Sequence, residues 1–267
     1  MSNSQKLPHL VVRIALCLVL GCPLLPRSAY GQATQGKTDE LTTSIAKIQS
    51  GGFTGVDIKA IVKANAVQAV PVLEKRFGPE KDALTRGMIA GALVRLGDRD
   101  NIYWNYLLEQ AIVAVDSNIP DAVYSESQGK VMIGASSPEL KTWADAHNIS
   151  LQTAGQYARY DYPYRVGELG ETGDPRGILL LRRALQSHNY LLAAMAAKGL
   201  AQIQDKESIP LIIAACERAP EGWGAGIASN LIYFDDPRAQ SAVDKFLPSE
   251  YAKTIRDLRA SGRRPFD

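Results

Sequence analysis

Residues 173–203 read GDPRGILLLRRALQSHNYLLAAMAAKGLAQI, and this block predicts a pair of packed helices. Asp174 followed by Pro175 is typical of a helix start. The Asp side chain can accept hydrogen bonds from free N–H groups, and Pro gives up no bond that the first turn needs. A leucine-rich stretch, a polar turn over 186–189 and an alanine-rich segment from about Tyr190 to Ile203 follow. The block is therefore predicted to be a helical hairpin.

Similar blocks recur along the chain. They start at 97, 204 and 235, with a degenerate copy near Asn65, and the starts at 173, 204 and 235 are 31 residues apart. One position of the second helix holds a leucine in each of four blocks: Leu93, Leu169, Leu200 and Leu231. Self-similarity at this period indicates a solenoid, whose units bury their apolar faces against their neighbours. We therefore expect an all-α fold, a right-handed α-solenoid of stacked hairpins with one insertion.

Two stretches carry a resemblance to a known family. GDPRGILLLRRAL from Gly173 and LAAMAAKGLAQIQDKESIPLI from Leu192 resemble HEAT-like repeats, in the short bacterial form also seen in phycobilisome-lyase-type proteins. The resemblance covers residues 65–247 and implies a scaffold of helical hairpins. Such repeats often open the second helix with a Val-Arg pair, and here only Thr85-Arg86 is similar. The ladder of Asp–Arg contacts between repeats is therefore expected to be incomplete.

The spacing of the blocks also predicts the domain organisation. The interval between the starts at 97 and 173 exceeds one repeat, which places an insertion at about 112–160. Within the insertion we predict a long loop over 118–136 with a short strand near 130–133, and then a helix that starts at Ser137-Pro138-Glu139. Residues 32–64 are predicted to form a flexible N-terminus and a capping helix (Thr38–Gln49). The repeat domain is predicted to span 65–247, and a C-terminal helix with a basic tail to span 248–267.

The first 31 residues are predicted to be a signal peptide. They combine a basic start, an apolar run over 14–20 and a small-x-small cleavage pattern over 29–31. This pattern predicts export to the periplasm or the medium, and no transmembrane segment is predicted in the mature chain. The alternative is lipidation at Cys22, after a stretch that loosely resembles a lipobox, which would anchor the chain in the envelope.

Composition argues against several functions. The net charge is +2, and the first 31 residues hold three basic residues and no acidic one, so the remainder is nearly neutral. Such a chain, without a basic stripe, predicts no nucleic-acid binding. Cys216 is interpreted as a core residue. His147 and His188 are far apart, no spacing suggests a zinc site, and the common hydrolase and phosphate-loop motifs are absent. We therefore predict no catalytic residue, no metal and no cofactor.

The segment YARYDYPYR, residues 157–165, is the clearest compositional anomaly. Four tyrosines cannot all face inward at this spacing, and tyrosine gives a large contact area with a polar tip at little cost in side-chain entropy. We therefore predict a partner-binding surface formed by these residues: Tyr157, Tyr160, Tyr162, Tyr164 and Arg165. The alternative interpretation is that the rings cover the insertion and fill the break in the stack.

The predicted function follows from the fold class. A solenoid offers an extended curved surface, so we predict a non-catalytic, exported scaffold that binds a protein or peptide in the bacterial cell envelope. One alternative is a small-molecule binder or lyase-like enzyme, with a site between the insertion and the Tyr157–Tyr164 cluster. Another is a purely structural spacer. The oligomeric state is not predicted.

Overall fold

The computed structural model describes residues 35–98, 100–132, 137–220 and 222–266. The predicted signal peptide, its cleavage site and Cys22 lie outside these residues. The described chain divides after Gln110 into two compact units. We describe each unit by itself.

The first unit is built from short helices. Its elements are α1 (Gln35–Ser50), α2 (Gly55–Lys63), a 3₁₀ turn (Val67–Ala69), α3 (Val70–Phe77), α4 (Ala83–Arg95) and most of α5 (Asn101–Asp116). Helix α1 begins at Gln35 rather than at Thr38, and α2 contacts both α1 and α4. Helices α3 and α4 form the hairpin of the degenerate block near Asn65, and Leu73 and Leu93 lie in its core with no exposed surface.

Asp57 ties α1 to α2. Its Oδ1 accepts hydrogen bonds from Ser44 Oγ at 3.2 Å and from Lys47 Nζ at 3.0 Å. Its Oδ2 accepts from the backbone N–H of Thr54 at 2.9 Å and from Thr54 Oγ1 at 3.0 Å. Burial alone would raise the pKa of Asp57, but these hydrogen bonds outweigh it and lower the pKa to about 2.

This carboxylate should make the protein more stable at neutral pH than in acid. Because the folded pKa lies below the ordinary value, the stabilisation is complete above about pH 5 and is lost as the pH falls toward about 2. Asp57→Asn should therefore lower the free energy of unfolding at neutral pH, and its difference from the parent protein should shrink in acid. Urea unfolding followed by circular dichroism across this range measures that difference. The control is Asp145→Asn at an exposed position, and a difference for Asp57→Asn that stays constant down to about pH 2 would contradict the prediction.

The second unit begins with the last turn of α5 and the insertion. The elements that follow are β1 (Tyr124–Ser125), β2 (Lys130–Val131), α6 (Pro138–Ala146), α7 (Leu151–Gln156), a π-helical turn (Tyr157–Asp161) and α8 (Tyr162–Glu171). The two strands pair antiparallel. Helix α6 starts where predicted, with Ser137 Oγ accepting a hydrogen bond from the N–H of Leu140 at 3.1 Å. Helix α5 continues to Asp116, past the predicted start of the insertion at 112.

The repeats after the insertion are regular helical hairpins. Their helices are α9 (Ile178–Ala184), α10 (Tyr190–Ile203), α11 (Ile209–Arg218), α12 (Trp223–Ala228), α13 (Pro237–Phe246) and α14 (Ser249–Ala260). Helices α9 and α11 are each preceded by a 3₁₀ turn, and α12 continues into one. The predicted block starts at 173, 204 and 235 each precede the first helix of a pair.

The recurring Gly-Asp pair marks the boundary between blocks. Gly173 has φ +69 and Gln204, at the same position one block later, has φ +62, the left-handed conformation that ends many helices. The following Asp174 starts the next helix, since its Oδ1 accepts a hydrogen bond from the N–H of Arg176 at 2.9 Å. Gln204 adopts a backbone conformation that glycine adopts without strain.

The second helices of successive blocks contact one another. Helix α10 packs against both α8 and α12, and three leucines at the repeated position have no exposed surface: Leu169, Leu200 and Leu231. Gly199 of α10 faces Gly170 of α8 so closely that a Cβ at Gly199 would lie 2.7 Å from the Gly170 Cα. Arg182 binds Asp205 of the next block with N–O distances of 2.9 and 2.8 Å, a rung of the expected Asp–Arg ladder. The predicted all-α helical-repeat fold is confirmed.

Candidate functional site

The predicted tyrosine surface divides into an outer pair and an inner pair. Tyr160 and Tyr164 are 50% and 44% exposed. Tyr162 is buried and Tyr157 is half-buried. The outer pair therefore presents about half of its surface to solvent, whereas the inner pair is more covered.

The inner pair packs with Arg165. The rings of Tyr157 and Tyr162 stack with centroids 5.2 Å apart and planes 15° apart. The guanidinium of Arg165 lies 5.2 Å from the centre of the Tyr162 ring, and its Nη2 is 3.6 Å from Asp161 Oδ2. Burial raises the pKa of the Tyr162 hydroxyl. These three of the five predicted residues correspond to the alternative interpretation, in which the rings fill the break in the stack.

Pro163 explains the local geometry of this cluster. Pro has no N–H to donate, and in an α-helix its ring would clash with the carbonyl of Arg159, four residues earlier. The chain instead makes a π-helical turn over Tyr157–Asp161, in which the N–H of Tyr162 donates to the carbonyl of Tyr157. The wider turn carries the chain from α7 into α8 without a break.

Phe266 covers part of α8 and α10. The ring of Phe266 lies 4.4 Å from Lys198 Nζ, and its edge approaches Gly170, where a Cβ would be 3.7 Å away. On the same helix as Gly170, Glu168 and Glu171 are buried. Two glutamates in a helix would ordinarily be expected to face solvent, but α10 packs against this helix.

A cavity that the sequence did not reveal lies within the second unit. Its volume is about 450 Å³, and it opens between the insertion and the turn before α10. Its apolar wall is formed by Pro120, Tyr124, Trp143 and Ala146. Sequence reasoning missed this cavity because its remaining wall includes His188, which is distant in the chain.

Two glutamates on the cavity wall are held by hydrogen bonds. Glu126 Oε1 accepts from the Tyr190 hydroxyl at 2.9 Å and lies 2.9 Å from His188 Nδ1. Glu139 Oε1 accepts from the N–H of Ser127 at 2.8 Å. Burial alone would raise the pKa of both glutamates. The side-chain partners of Glu126 lower its pKa, and the hydrogen bonds at Glu139 lower its pKa to about 2.

The indole ring on the wall has a fixed orientation. Trp143 Nε1 donates to the carbonyl of Ser117 at 2.9 Å, and the His147 ring stacks on the indole with centroids 4.0 Å apart. His147 directly follows α6, so this stacking lies at the end of the helix.

Asn189 joins the insertion to the repeat stack. This buried side chain starts α10, because its Oδ1 accepts from the N–H of Leu192 at 3.0 Å. Its Nδ2 donates to the carbonyl of Ala158 in the insertion at 2.8 Å. The turn over 188–190 therefore lines the cavity through His188 and begins a repeat helix.

Other predicted features have clear positions. Cys216 is buried, and burial raises the pKa of its thiol to about 12.

Among the described residues, no group of three or more His, Cys, Asp or Glu side chains could hold a metal ion. Within the same part of the chain, none of the helices has the length and apolar character needed to span a membrane.

The fold and these sites define a class of protein, the α-helical repeat proteins. Residues 192–218, which cover most of α10 and all of α11, match the family model described as PBS lyase HEAT-like repeat. The predicted resemblance to HEAT-like repeats is confirmed over this segment of the chain. A comparison with curated proteins finds no match.

Proposed function

We propose that this protein is a non-catalytic, exported scaffold that binds a protein or peptide in the bacterial cell envelope. The observation that carries the proposal is the exposure of Tyr160 and Tyr164 next to the stacked rings of Tyr157 and Tyr162. Large aromatic rings that are left exposed beside polar groups are typical of contact surfaces in protein complexes.

The packing below the two tyrosines supports a binding role. Tyr157, Tyr162 and Arg165 hold the backbone on which Tyr160 and Tyr164 stand, so a partner would meet a preformed surface. Preformed contacts lose less conformational entropy on association, which favours affinity. The tyrosine hydroxyls and the nearby Asp161–Arg165 pair add polar groups that select orientation.

The alternative, a lyase-like enzyme, rests on the description of the matching family. Two observations support the non-catalytic role instead. The Cys216 thiol is buried with a raised pKa, so it is a poor nucleophile. The ring of His147 is stacked on Trp143, and its Nδ1 lies 2.8 Å from the carbonyl of Trp143. This hydrogen bond uses Nδ1, so that nitrogen is not available to act as a base.

Export is proposed from the pattern of the first 31 residues. The basic start, apolar run and cleavage pattern support a signal peptide, with a mature chain that begins at Gln32. Lipidation at Cys22 is the alternative and would keep the chain at a membrane surface.

Site-specific photo-cross-linking in the native host tests the partner surface. A benzophenone amino acid replaces Tyr160, Tyr164 or, as the control, Leu179, which is 79% exposed on α9. We expect positions 160 and 164 to cross-link the same partner and position 179 to cross-link none. The N-terminus of the recovered chain is read in the same preparation, and a start at Gln32 or an acylated Cys22 separates the two forms of export.

Binding of the purified partner then gives the size of the effect. Tyr164→Ala is expected to weaken binding by about tenfold or more, as for an aromatic contact residue, while Leu179→Ala leaves the Kd unchanged. Cross-links from position 179 without any from 160 or 164 would place the partner on the first helices and reject the tyrosine surface.

A further inference from the structure

We propose that the cavity beside Trp143 binds a small organic ammonium ion, a protonated primary amine with a short apolar tail. The proposal concerns a small ligand and uses none of the five residues of the partner surface, so it stands apart from the scaffold function. It is argued from the charge of the wall, from one unsatisfied oxygen and from the aromatic faces.

The described residues that line the cavity carry more negative than positive charge. They include Asp121, Glu126 and Glu139 but no Lys or Arg, and His188 already lies against Glu126. Burial raises the pKa of Asp121, whose Oδ1 accepts from two backbone N–H groups of its own turn, so the two glutamates are the main carriers of charge. A cationic ligand would offset that charge, and an anionic one would be repelled.

Glu139 offers an acceptor with no donor. Its Oε1 is bound to Ser125 and Ser127, whereas its Oε2 accepts no hydrogen bond from any described residue. Because Oε2 is shielded from solvent, a ligand in the cavity reaches it only when the Glu139 side chain turns toward the cavity. An unsatisfied buried carboxylate oxygen is costly, and a donor that reaches it recovers that free energy. The low pKa of Glu139 means that the carboxylate stays ionised at neutral pH. An ammonium group provides both the N–H donor and the opposite charge.

The aromatic and apolar residues of the cavity wall indicate the chemistry of the ligand's tail. Tyr124 and Trp143 are aromatic, and aromatic faces attract cations as well as apolar groups. Pro120 and Ala146 add apolar surface. A volume of about 450 Å³ lies in the range of small-molecule sites. Because most of the wall is apolar, an ammonium ion with an alkyl tail fits it better than a small inorganic cation does.

Isothermal titration calorimetry with three matched probes tests the proposal. The probes are 3-methylbutylammonium, the neutral 3-methylbutan-1-ol and the anionic 3-methylbutanoate, which share one carbon skeleton. We expect the ammonium ion to bind, the alcohol to bind at least about tenfold more weakly, and the carboxylate to give no heat of binding. Equal affinity of alcohol and amine, or no binding of the amine, would overturn the proposal.

Three variants locate the site. Glu139→Gln should weaken amine binding by about tenfold, and Glu126→Gln, whose side chain is more exposed, by about threefold. Glu217→Gln, on α11 and paired with Lys245, is the control and should leave binding unchanged. If Glu139→Gln fails to fold, the affinity of Glu126→Gln for the three probes still tests the proposal. Unchanged amine affinity in every folded variant of Glu126 and Glu139 would place the amine elsewhere and overturn the proposal.

Discussion

Replacing Leu200 by alanine should lower the free energy of unfolding by about 3 kcal/mol. Leu200 lies in α10 with no exposed surface, at the position that Leu169 and Leu231 occupy in the neighbouring blocks. Truncation removes buried apolar surface and leaves a cavity in a closely packed stack, and Leu→Ala changes of this kind typically cost about 2–5 kcal/mol. Urea unfolding followed by circular dichroism measures the loss.

The matched control comes from the same block. Leu179 of α9 is 79% exposed, so Leu179→Ala should change the free energy of unfolding by less than about 0.5 kcal/mol. If the two variants had equal stability, the repeated leucine position would not be the core of the stack. That result would contradict the description of the blocks as units that bury their apolar faces against each other.

Gly199→Ala should also destabilise the protein, by about 1–3 kcal/mol, although alanine is the better helix former. The added Cβ would lie 2.7 Å from the Cα of Gly170 and 3.1 Å from a methyl group of Leu181. The first neighbour is backbone, so α8 and α10 must move apart. Thermal unfolding of the variant measures the net effect, and the loss of contact between the helices should outweigh the gain in helix propensity.

Gly87→Ala is the matched control for Gly199→Ala and should not destabilise the protein. Gly87 lies within α4, and a Cβ there would meet no atom within 4 Å. The variant should be as stable as the parent protein or more stable by up to about 1 kcal/mol, because only helix propensity changes. Destabilisation of both variants by the same amount would mean that the close approach of Gly170 and Gly199 is unimportant.

The repeats could be predicted because their signals are local and recur. An Asp-Pro pair such as Asp174-Pro175 favours a helix start through its own side chains, whatever the surrounding fold. The leucine position at 169, 200 and 231 repeats with the period of the unit. The boundary at Gln204 could be located from the period but not from its residue type. A left-handed glutamine is uncommon, and only the alignment of the blocks indicates it.

The candidate sites were less predictable because they depend on contacts between distant segments. Tyr160 and Tyr164 are four residues apart and share an exposed face, whereas Tyr162 lies on the other side of the helix and is buried. The spacing predicts that these faces differ, but which face meets the rest of the protein depends on distant segments, and the π-helical turn before Pro163 is not indicated by any periodicity. The burial of Glu168 depends on how closely α8 approaches α10. The cavity needs residues near 120 and 143 to meet residue 188. Its carboxylates look like ordinary surface acids when read along the chain.

The position of Asn189 has a consequence for local dynamics. The segment 188–190 lines the cavity through His188, links the insertion to the stack through Asn189, and contributes Tyr190 as the first residue of α10. Fraying of that helix end and separation of the insertion from this turn therefore break the same hydrogen bonds. The two motions should occur as one cooperative opening event, so amide protons in the insertion and at the start of α10 would exchange with solvent at similar rates.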